Sequence, residues 1–565
     1  MTALTIRAYL ACLGCLVFAG LYGRFGQGAW GIPPVNSWYE PSLLGLAAYL
    51  FILCRLLPDR YFVGLVELRP TLPQIVLAVF MVCAVGNLLV LQGFHQSRDE
   101  QMAVFDAAVF RSGRMFAPIP PLWQPDAKAL NLDFMLPADP PLGWISSYLP
   151  MNAVIRAGFS LIGAEPLATP IMAAGAIALL WSVAGRLWPD DRGARVATCA
   201  ILVGSGQFIM SGMTAYAMTA HLLCNLVWLR LFLMRRRWAD GLAILVGFVA
   251  TGLHQPVFHP LFVLPFMVLL LVRREWTRLA CFAVAYLAIA AFWMGWPLHV
   301  AGLIVGDVQA SGGGAVQGVS YLDRLHGLIH LDLSSVALQA YNIAGFFAWQ
   351  HILLLPLLVL GWRAARGNEV MMALAAGLVL PFVVMLVILP FQGFGYGYRY
   401  AHGVLGNAAL LAGWAWHRMG DKRLEQRRLL ARTTLASVAV LLPFQMWSVH
   451  SSFRSFVEAD RRITASGTDL VVLDNGWGHH VENLVYNAPD LDNRPIRLIA
   501  QRIIDPDGLA HRHCGPGTSV AFGSTVFYTQ GFGPYLPPGA ATDVVTMARL
   551  RRALTRAGCR VETID

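Results

Sequence analysis

"LPQIVLAVFMVCAVGNLLVLQGFHQSRDEQMAVFDAAVFRSG", residues 72–113, joins two segments of opposite character. The first is apolar over a length that suits a membrane-crossing helix, which takes roughly 20 residues. The second begins with Ser97 and has Glu100 three residues later, a spacing typical of a helix that starts with a capping box. A stripe of apolar side chains follows at helical spacing: Met102, Phe105 and Val109. Together these features predict a membrane-spanning helix followed at once by a second helix lying on the membrane surface.

The composition places the whole chain in the membrane class. Its 565 residues are 57% hydrophobic and only 13% charged, with a mean hydropathy of +0.56. A soluble chain carries roughly 25% charged residues. The net charge of +10 is almost entirely arginine, since Lys128 and Lys422 are the only lysines. Because this charge is spread over many loops, it does not indicate nucleic-acid binding, and we expect a polytopic α-helical membrane protein.

The apolar segments predict about thirteen transmembrane helices. The first of them follows Arg7 and is interpreted as an uncleaved helix, since no clear signal-peptidase site follows it. The candidate spans are residues 4–22, 41–57, 73–93, 165–187, 194–210, 213–234, 239–254, 257–273, 277–297, 342–362, 369–390, 401–418 and 431–448.

The distribution of basic residues predicts the orientation. With a cytoplasmic amino terminus, most arginines fall in inside loops, as the positive-inside rule requires. A transmembrane domain is then expected over residues 1–448, with outside loops at 94–164 and 298–341. The more polar segment 449–565 predicts a small α/β domain outside the cytoplasm, in the periplasm of a bacterial inner (cell) membrane protein. In that oxidising space Cys514 and Cys559 are candidates for a disulfide.

The first outside loop carries the adjacent carboxylates Asp99 and Glu100. The capping box gives Glu100 a structural role, whereas Asp99 has none. A carboxylate at a helix start beside a low-dielectric surface is suited to act as a base or to hold a metal. Asp133 and Asp139, further along the loop, are additional candidate contacts for an acceptor or a sugar, although solvation of a loop explains them equally well.

Two other outside turns carry unusual polar residues. "GLHQPVFHP", 252–260, contains His254 and His259, which suit a metal or an anion, or a structural turn. "FQGFGYGYRYAHG", 391–403, contains Arg399 among glycines and tyrosines, an environment that suits bidentate binding of phosphate or an arginine reaching lipid headgroups. In the polar domain, Trp477 is a candidate for stacking on a sugar or for packing within its own domain.

These motifs, in this order, resemble the GT-C superfamily of polyprenyl-phosphate-dependent glycosyltransferases. The likeness is strongest to the family 39-like group, which contains protein O-mannosyltransferases and the lipid A aminoarabinose transferase. The matching stretches lie between residues 73 and 418 and are "SRDEQMAVFDAAVFRSG", "ADPPLGWISSYLPMNAVIRAGFSLIG", "GLHQPVFHPLFVLPFMVLLLVRR" and "YRYAHGVLG".

The resemblance implies a role for each matching residue. Asp99 is the base that takes the acceptor proton, with Glu100 supporting it. Arg399 holds the lipid phosphate, helped by Tyr398 and Tyr400. His254 and His259 stand where relatives place lysine, which departs from the family pattern. The implied reaction moves a sugar from a polyprenyl-phosphate donor to an envelope lipid, glycan or protein with inversion, and a divalent metal such as Mg²⁺ or Mn²⁺ stays open.

Three other classes of function stay open. A transporter or flippase of lipid-linked sugars also needs many helices, but it predicts symmetric halves and charges at mid-membrane. A glycan ligase or polymerase predicts a mainly basic outside site. A non-catalytic assembly protein predicts that the polar domain binds partners through the region around Trp477.

Overall fold

The structure is a computed structural model that describes residues 2–25, 34–57, 70–310, 329, 332–393, 395–419, 423–532, 536 and 539–565. The chain forms two compact units. The helical unit comprises Met1–Leu88, Pro166–Met294 and Arg324–Ser448. The mixed unit comprises Leu89–Glu165, Gly295–Asp323 and Val449–Asp565. Arg60, Arg69, Arg324 and Lys422, which contributed to the predicted orientation, lie outside the described residues.

Helices dominate the chain, and most are apolar. In chain order they are α1 (Thr2–Phe25), α2 (Pro34–Leu56), α3 (Leu72–Leu89), α4 (Arg98–Arg111), α5 (Met151–Ser160), α6 (Ala168–Leu187), α7 (Arg192–Val203), α8 (Gly206–Ser211), α9 (Met218–Phe232), α10 (Arg237–Thr251), α11 (Phe258–Val272), α12 (Trp276–Ala310), α13 (Leu333–Ala348), α14 (Leu354–Ala365), α15 (Glu369–Ile388), α16 (Leu405–Arg418), α17 (Arg423–Ala436), α18 (Leu442–Ala465), α19 (Pro506–His513), α20 (Thr525–Phe532) and α21 (Val544–Arg556).

Seven helices among the described residues are long and apolar enough to cross a membrane. Three shorter apolar helices, α9, α11 and α14, accompany them. A spanning helix takes roughly 20 residues, so the shorter ones fall below that length. The polytopic helical fold class expected from the sequence is confirmed, while the number of crossings and their orientation stay predictions.

Two of the predicted spans are not single helices, because polar residues interrupt them. Span 342–362 divides into α13 and α14, because the ring of His351 accepts a hydrogen bond from the Leu353 amide at the break. Span 194–210 divides into α7 and α8, where Ser205 caps the new helix by accepting from the Phe208 amide. A serine or histidine side chain that hydrogen-bonds to nearby backbone groups competes with the hydrogen bonds of the helix. A helix can therefore end there even within an apolar segment.

Two further boundaries differ from the prediction. Helix α12 continues past residue 297 to Ala310, so the first part of the expected outside loop 298–341 is helical, with a non-helical residue at Gly306. The last part of that loop belongs to α13, and residues 311–328 lie outside the described residues. Span 401–418 begins as a 3-10 turn, Arg399–Val404, before α16 starts. Span 431–448 contains a π-helical turn, Ser437–Leu441, between α17 and α18.

The mixed unit contains the α/β domain that the polar segment predicted. Strands β1 (Ala117–Pro118) and β2 (Gly143–Trp144) form a small antiparallel ladder. A second, parallel sheet has the order β4-β3-β5-β6. Its strands are β3 (Leu470–Leu473), β4 (Ile496–Ile499), β5 (Ser519–Gly523) and β6 (Arg560–Ile564).

Both faces of the parallel sheet are buried, as is usual for parallel sheets. Leu470 and Val472 of β3 point into one apolar core, and Val471 and Leu473 point into another. The first core also receives the stripe of α4 that the sequence assigned to the membrane surface: Met102, Phe105 and Val109. That assignment is wrong, because the stripe covers one face of the sheet and is buried there.

Cys514 and Cys559, the pair that the sequence offered for a disulfide, are bonded to each other. The bond joins the end of α19 to the residue before β6 and closes 45 residues of chain. The described residues also include seven free cysteines, Cys281 among them.

Removing this disulfide is expected to destabilise the mixed unit. A loop of this length contributes about 4 kcal/mol in the chain-entropy account. We expect the double variant Cys514→Ser/Cys559→Ser to unfold at a clearly lower denaturant concentration than the parent, followed by tryptophan fluorescence. Cys281→Ser, which removes an exposed free thiol, is the matched control and should unfold like the parent. Equal midpoints for parent and double variant would contradict a stabilising role.

Candidate active site

Asp99 lies in the first turn of α4, and the local sequence fixes its position. Ser97 is the N-cap, and its hydroxyl accepts a hydrogen bond from the Glu100 amide at 3.3 Å. Tyr148, just before α5, donates its phenolic hydrogen to Oδ1 of Asp99. Both side chains are half-buried. A partly accessible carboxylate at a helix start, oriented by a tyrosine, is suited to accept a proton from a bound hydroxyl.

Glu100 occupies a different environment from its neighbour. Its side chain is buried, and the Nδ1 atom of His95 lies 4.0 Å from its Oε1. The next residue, Gln101, donates from Nε2 to the Asn483 carbonyl at 2.6 Å. This side of α4 therefore faces the interior of the mixed unit. The contacts fit the supporting role implied for Glu100 and leave the proton transfer to Asp99.

A network of charged residues supports the start of α4. Arg98 donates from Nη2 to the carbonyls of Asn131, at 2.9 Å, and Asp133, at 3.1 Å. Burial lowers the pKa of Arg98 to about 10, which leaves it charged at neutral pH. Arg502 bridges the Asp133 carboxylate, at 2.6 Å, and Glu482, at 3.0 Å. Burial disfavours the charged form of Asp133, but the hydrogen bond and charge of Arg502 outweigh it and lower the pKa of that carboxyl.

Asp106, two turns along α4, is a buried carboxyl that holds the β2–α5 connection. It accepts hydrogen bonds from the amide of Ser146, at 3.0 Å, and from its hydroxyl. Burial raises the pKa of Asp106 to about 7, against the opposing effect of the Ser146 hydrogen bonds. The folded chain therefore holds this proton more tightly than the unfolded chain, where the carboxyl titrates near 3.8.

A stability measurement tests this difference. Because the folded state binds the proton more tightly, stability falls as pH rises between about 4 and about 7, by a few kcal/mol at most. The Asn of Asp106→Asn can accept from the Ser146 amide through Oδ1 and donate from Nδ2 to the Ser146 hydroxyl, so it keeps two hydrogen bonds without the charge. Its thermal midpoint should exceed that of the parent by several degrees at pH 8 and match it near pH 4. Asp507→Asn, at an exposed carboxylate of α19, should keep the parent's pH dependence. If the thermal midpoints of Asp106→Asn and the parent depend on pH in the same way, the raised pKa of the buried Asp106 carboxyl is refuted.

The structure places Asp133 and Asp139 at one cavity of the mixed unit. This cavity has a volume of about 680 Å³ and is lined by parts of residues 128–144 and 501–504. Asp139 is exposed at it. The two carboxylates that the sequence offered as acceptor or sugar contacts are therefore brought together at one concave surface.

Trp477 is not among the residues that line this cavity. Its indole is buried and stacks on Tyr528 with ring centroids 5.3 Å apart. Its Nε1 donates to the Thr542 hydroxyl at 3.2 Å. These contacts fit the second reading that the sequence offered, packing within its own domain, while sugar stacking on Trp477 stays a prediction.

In the helical unit, the turn before α16 presents Arg399. Side-chain amides hold this turn: Gln392 accepts from the Arg399 amide at 2.8 Å, and Gln207 donates to the Tyr398 carbonyl at 2.8 Å. The Arg399 guanidinium lies over the rings of Tyr400, at 5.3 Å, and Tyr216, at 5.8 Å. The aromatic faces orient the cation without using its hydrogen-bond donors.

Arg399 lines a narrow cavity of about 20 Å³ within the helical unit. Tyr400 and His254, two of the residues implied by the family resemblance, line it as well. So do His221 and Asn225 of α9, which the sequence analysis missed. Polar residues inside an apolar helix are functional candidates by default, so "TAHLLCN", 219–225, carried a signal that could have identified them.

Two residues expected at the phosphate, His259 and Tyr398, are not among the residues that line this cavity. Both ring nitrogens of His259 are hydrogen-bonded, to Asn225 at 2.7 Å and to Tyr286 at 2.8 Å, and the ring is fully buried. Tyr398 is also fully buried, and its ring packs on Phe382. Phosphate binding by these two side chains stays a prediction.

The described residues contain no group of three or more His, Cys, Asp or Glu side chains arranged to hold a metal ion. Within this part of the chain, Asp99, Asp133 and Asp139 therefore belong to no group of three such side chains that could surround a metal ion. The divalent metal that the resemblance left open stays open.

The fold is that of a polytopic α-helical protein with a small α/β domain. Among solved structures the chain is similar to ArnT from Cupriavidus metallidurans in the apo state, with a TM-score of 0.50, 13% identity, and coverage of 84% of this chain and 90% of that chain. ArnT from the same organism bound to undecaprenyl phosphate matches with a TM-score of 0.49 and 14% identity over the same shares. No family profile and no curated protein matches the sequence. At this level of identity the likeness shows a shared fold.

Proposed function

We propose that this chain is a membrane glycosyltransferase that moves a sugar from a polyprenyl-phosphate donor to an envelope acceptor. The observation that carries the proposal is the half-buried Asp99 carboxylate, held by the Tyr148 hydroxyl at the start of α4, in a chain with the fold of ArnT. One ArnT structure contains undecaprenyl phosphate. A polyprenyl-phosphate-linked sugar is therefore the donor class that we propose here.

The proposed reaction is a single displacement. The acceptor hydroxyl gives its proton to Asp99, and its oxygen forms a bond to the anomeric carbon of the sugar. The bond from that carbon to the phosphate oxygen breaks, and the electron pair leaves with the polyprenyl phosphate. Arg399 stabilises the phosphate charge with its fixed fork of donors. Attack from the face opposite the leaving group inverts the anomeric centre.

Both ends of the reaction belong at the outer boundary of the membrane. We propose that the amino terminus is cytoplasmic and that residues 449–565, with the loop that carries Asp99, lie in the periplasm of a bacterial cell. The Cys514–Cys559 disulfide supports this placement, because such bonds persist in oxidising compartments. Membrane lipids then surround the transmembrane domain, residues 1–448, and no nucleic acid takes part.

One assay tests the class of function. Purified protein in lipid nanodiscs receives a polyprenyl-phosphate sugar labelled in the sugar, together with an envelope extract, in parallel with Mg²⁺, with Mn²⁺ and with EDTA. We expect labelled acceptor and free polyprenyl phosphate to appear in equal amounts. Absence of both products under all three conditions, with every donor sugar supplied, would overturn the proposal.

A transporter or flippase of lipid-linked sugars is the alternative class, and the same preparation separates it. In sealed vesicles a transporter moves the labelled donor across the bilayer with its sugar still attached to the lipid. A transferase releases the sugar from the lipid phosphate. Movement without release would favour the transporter.

A further inference from the structure

The cavity of about 680 Å³ in the mixed unit has a size and lining suited to a substrate. Pockets of about 300–1,000 Å³ bind molecules larger than one sugar ring. Its apolar lining includes Met135, Leu136 and Ile504. Its charged lining comes from the first loop and from the end of the parallel sheet: Lys128, Asp133, Asp139 and Arg502. Apolar walls with a few convergent polar groups are typical of ligand sites.

The charges in the lining balance, which decides the kind of ligand. The lining contains two cations, Lys128 and Arg502, and two carboxylates, Asp133 and Asp139. Arg502 is already paired with Asp133 and Glu482. Lys128 and Asp139 make no ion pair within the described residues, and both side chains are exposed. A site for an anion would present an excess of uncommitted cations. Equal numbers of cations and carboxylates next to apolar side chains instead fit a ligand that has many hydroxyl groups and no net charge.

The cavity is connected to Asp99 by direct contacts within the mixed unit. Asp133 lines the cavity, and its carbonyl accepts from Arg98, the residue before Asp99. The ring of the next residue, Phe134, stacks on Tyr148 with centroids 5.9 Å apart, and Tyr148 donates to Asp99. A molecule bound in the cavity therefore lies one layer of side chains from the proposed base.

We propose that this cavity binds the acceptor, and that the acceptor is a neutral oligosaccharide of which about two sugar rings fit inside. The proposal rests on the proposed transferase function. It adds the class of acceptor: a glycan rather than a protein or a phosphorylated lipid. Asp139 binds sugar hydroxyls, and the apolar lining contacts the CH faces of the rings. The glycan continues beyond the cavity, past Phe134 and Tyr148, so that a hydroxyl outside the cavity reaches Asp99 and gives up its proton.

The test compares two acceptor fractions and three variants. Oligosaccharides released from the envelope of the native host are separated by anion exchange into a neutral and an acidic fraction. We expect transfer from labelled donor to the neutral fraction. Asp139→Ala should raise the KM for this fraction at least about tenfold with little change in kcat, since it removes hydrogen bonds to the ligand. Lys128→Ala should change it less, because a neutral ligand makes no ion pair with the amine.

Ala138→Trp places a bulky ring in the same cavity and provides a second test. We expect it to abolish transfer to the neutral fraction while the slow hydrolysis of donor by water continues at the parent's rate. Asp507→Asn, at an exposed carboxylate of α19, should leave every rate unchanged. Binding without donor is followed by saturation-transfer NMR with the neutral fraction, and Asp139→Ala and Ala138→Trp should both weaken the signal.

The outcomes separate the two proposals. If no donor is consumed but the neutral fraction binds and the variants remove binding, the glycan site stands and the transferase function fails. If donor is consumed and only the acidic fraction or protein accepts the sugar, or if the KM is unchanged in Asp139→Ala and Ala138→Trp, the acceptor site is refuted and the transferase function stands. A larger loss in Lys128→Ala than in Asp139→Ala would likewise refute a neutral ligand.

Discussion

Asp99→Asn is expected to lower kcat for sugar transfer by about 10²–10⁴, the usual contribution of a general base. The amide keeps the size of the carboxylate and can still accept the Tyr148 hydrogen bond, so the fold of α4 should be preserved. What it cannot do is accept the proton from the attacking hydroxyl. Initial rates of polyprenyl phosphate release, measured with saturating donor and acceptor, give kcat directly.

Two comparisons make the result specific. Asp507→Asn changes an acidic residue in the first turn of another helix of the mixed unit and should keep full activity. Tyr148→Phe should lower kcat with little effect on the KM of either substrate, because it removes only the hydrogen bond that orients Asp99. Glu100→Gln is a poor substitute, since Glu100 is buried and its loss disturbs folding as well as activity. Transfer by Asp99→Asn at the parent's rate would eliminate Asp99 as the base.

Arg399→Ala is expected to have the second largest effect, a loss of about 10²-fold in kcat/KM for the donor. In the proposed reaction the guanidinium stabilises charge on the leaving phosphate, and a missing donor of this kind usually lowers the rate by about 10²–10³. Arg399→Lys should restore only part of the loss, because a lysine supplies one point charge in place of a planar fork and does not stack in the same way on Tyr216 and Tyr400.

The readout for Arg399 is the dependence of rate on donor concentration, with acceptor held constant. Arg366→Ala, at an exposed arginine at the end of α14, is the matched control and should leave the donor kinetics unchanged. Hydrolysis of donor by water should fall with transfer, since both routes release the same phosphate. Unchanged donor kinetics in Arg399→Ala would mean that the phosphate binds elsewhere.

The features best predicted from the sequence are those that depend on residues close together in the chain. Ser97 and Glu100 at capping-box spacing predicted the start of α4, and the serine does cap that helix. The long apolar segments predicted the membrane fold, and the polar segment 449–565 predicted an α/β domain, to which strands β3 and β4 belong. Each of these depends on neighbours within a few residues, which a single sequence records completely.

The sequence is least informative where long-range packing decides which way a side chain faces. His259 and Tyr398 lie on polar, aromatic turns like their neighbours His254 and Tyr400, but both are turned inward to partners on other segments. The partner of Asp99 escaped notice for the same reason, because Tyr148 lies 49 residues further along the chain. Sequence alone gives residue type and spacing, whereas these contacts depend on how distant segments fold together.

The shared core of α4 and the parallel sheet has a consequence for biosynthesis. Phe105 of α4 is buried with Val520 and Phe522 of β5, which a ribosome adds more than four hundred residues later. Until the carboxy-terminal segment has been synthesised, the apolar stripe of α4 lacks its cover and is a ready target for chaperones and proteases. The surroundings of Asp99, the proposed base, are therefore complete only when synthesis is nearly finished, and a truncated product lacks them.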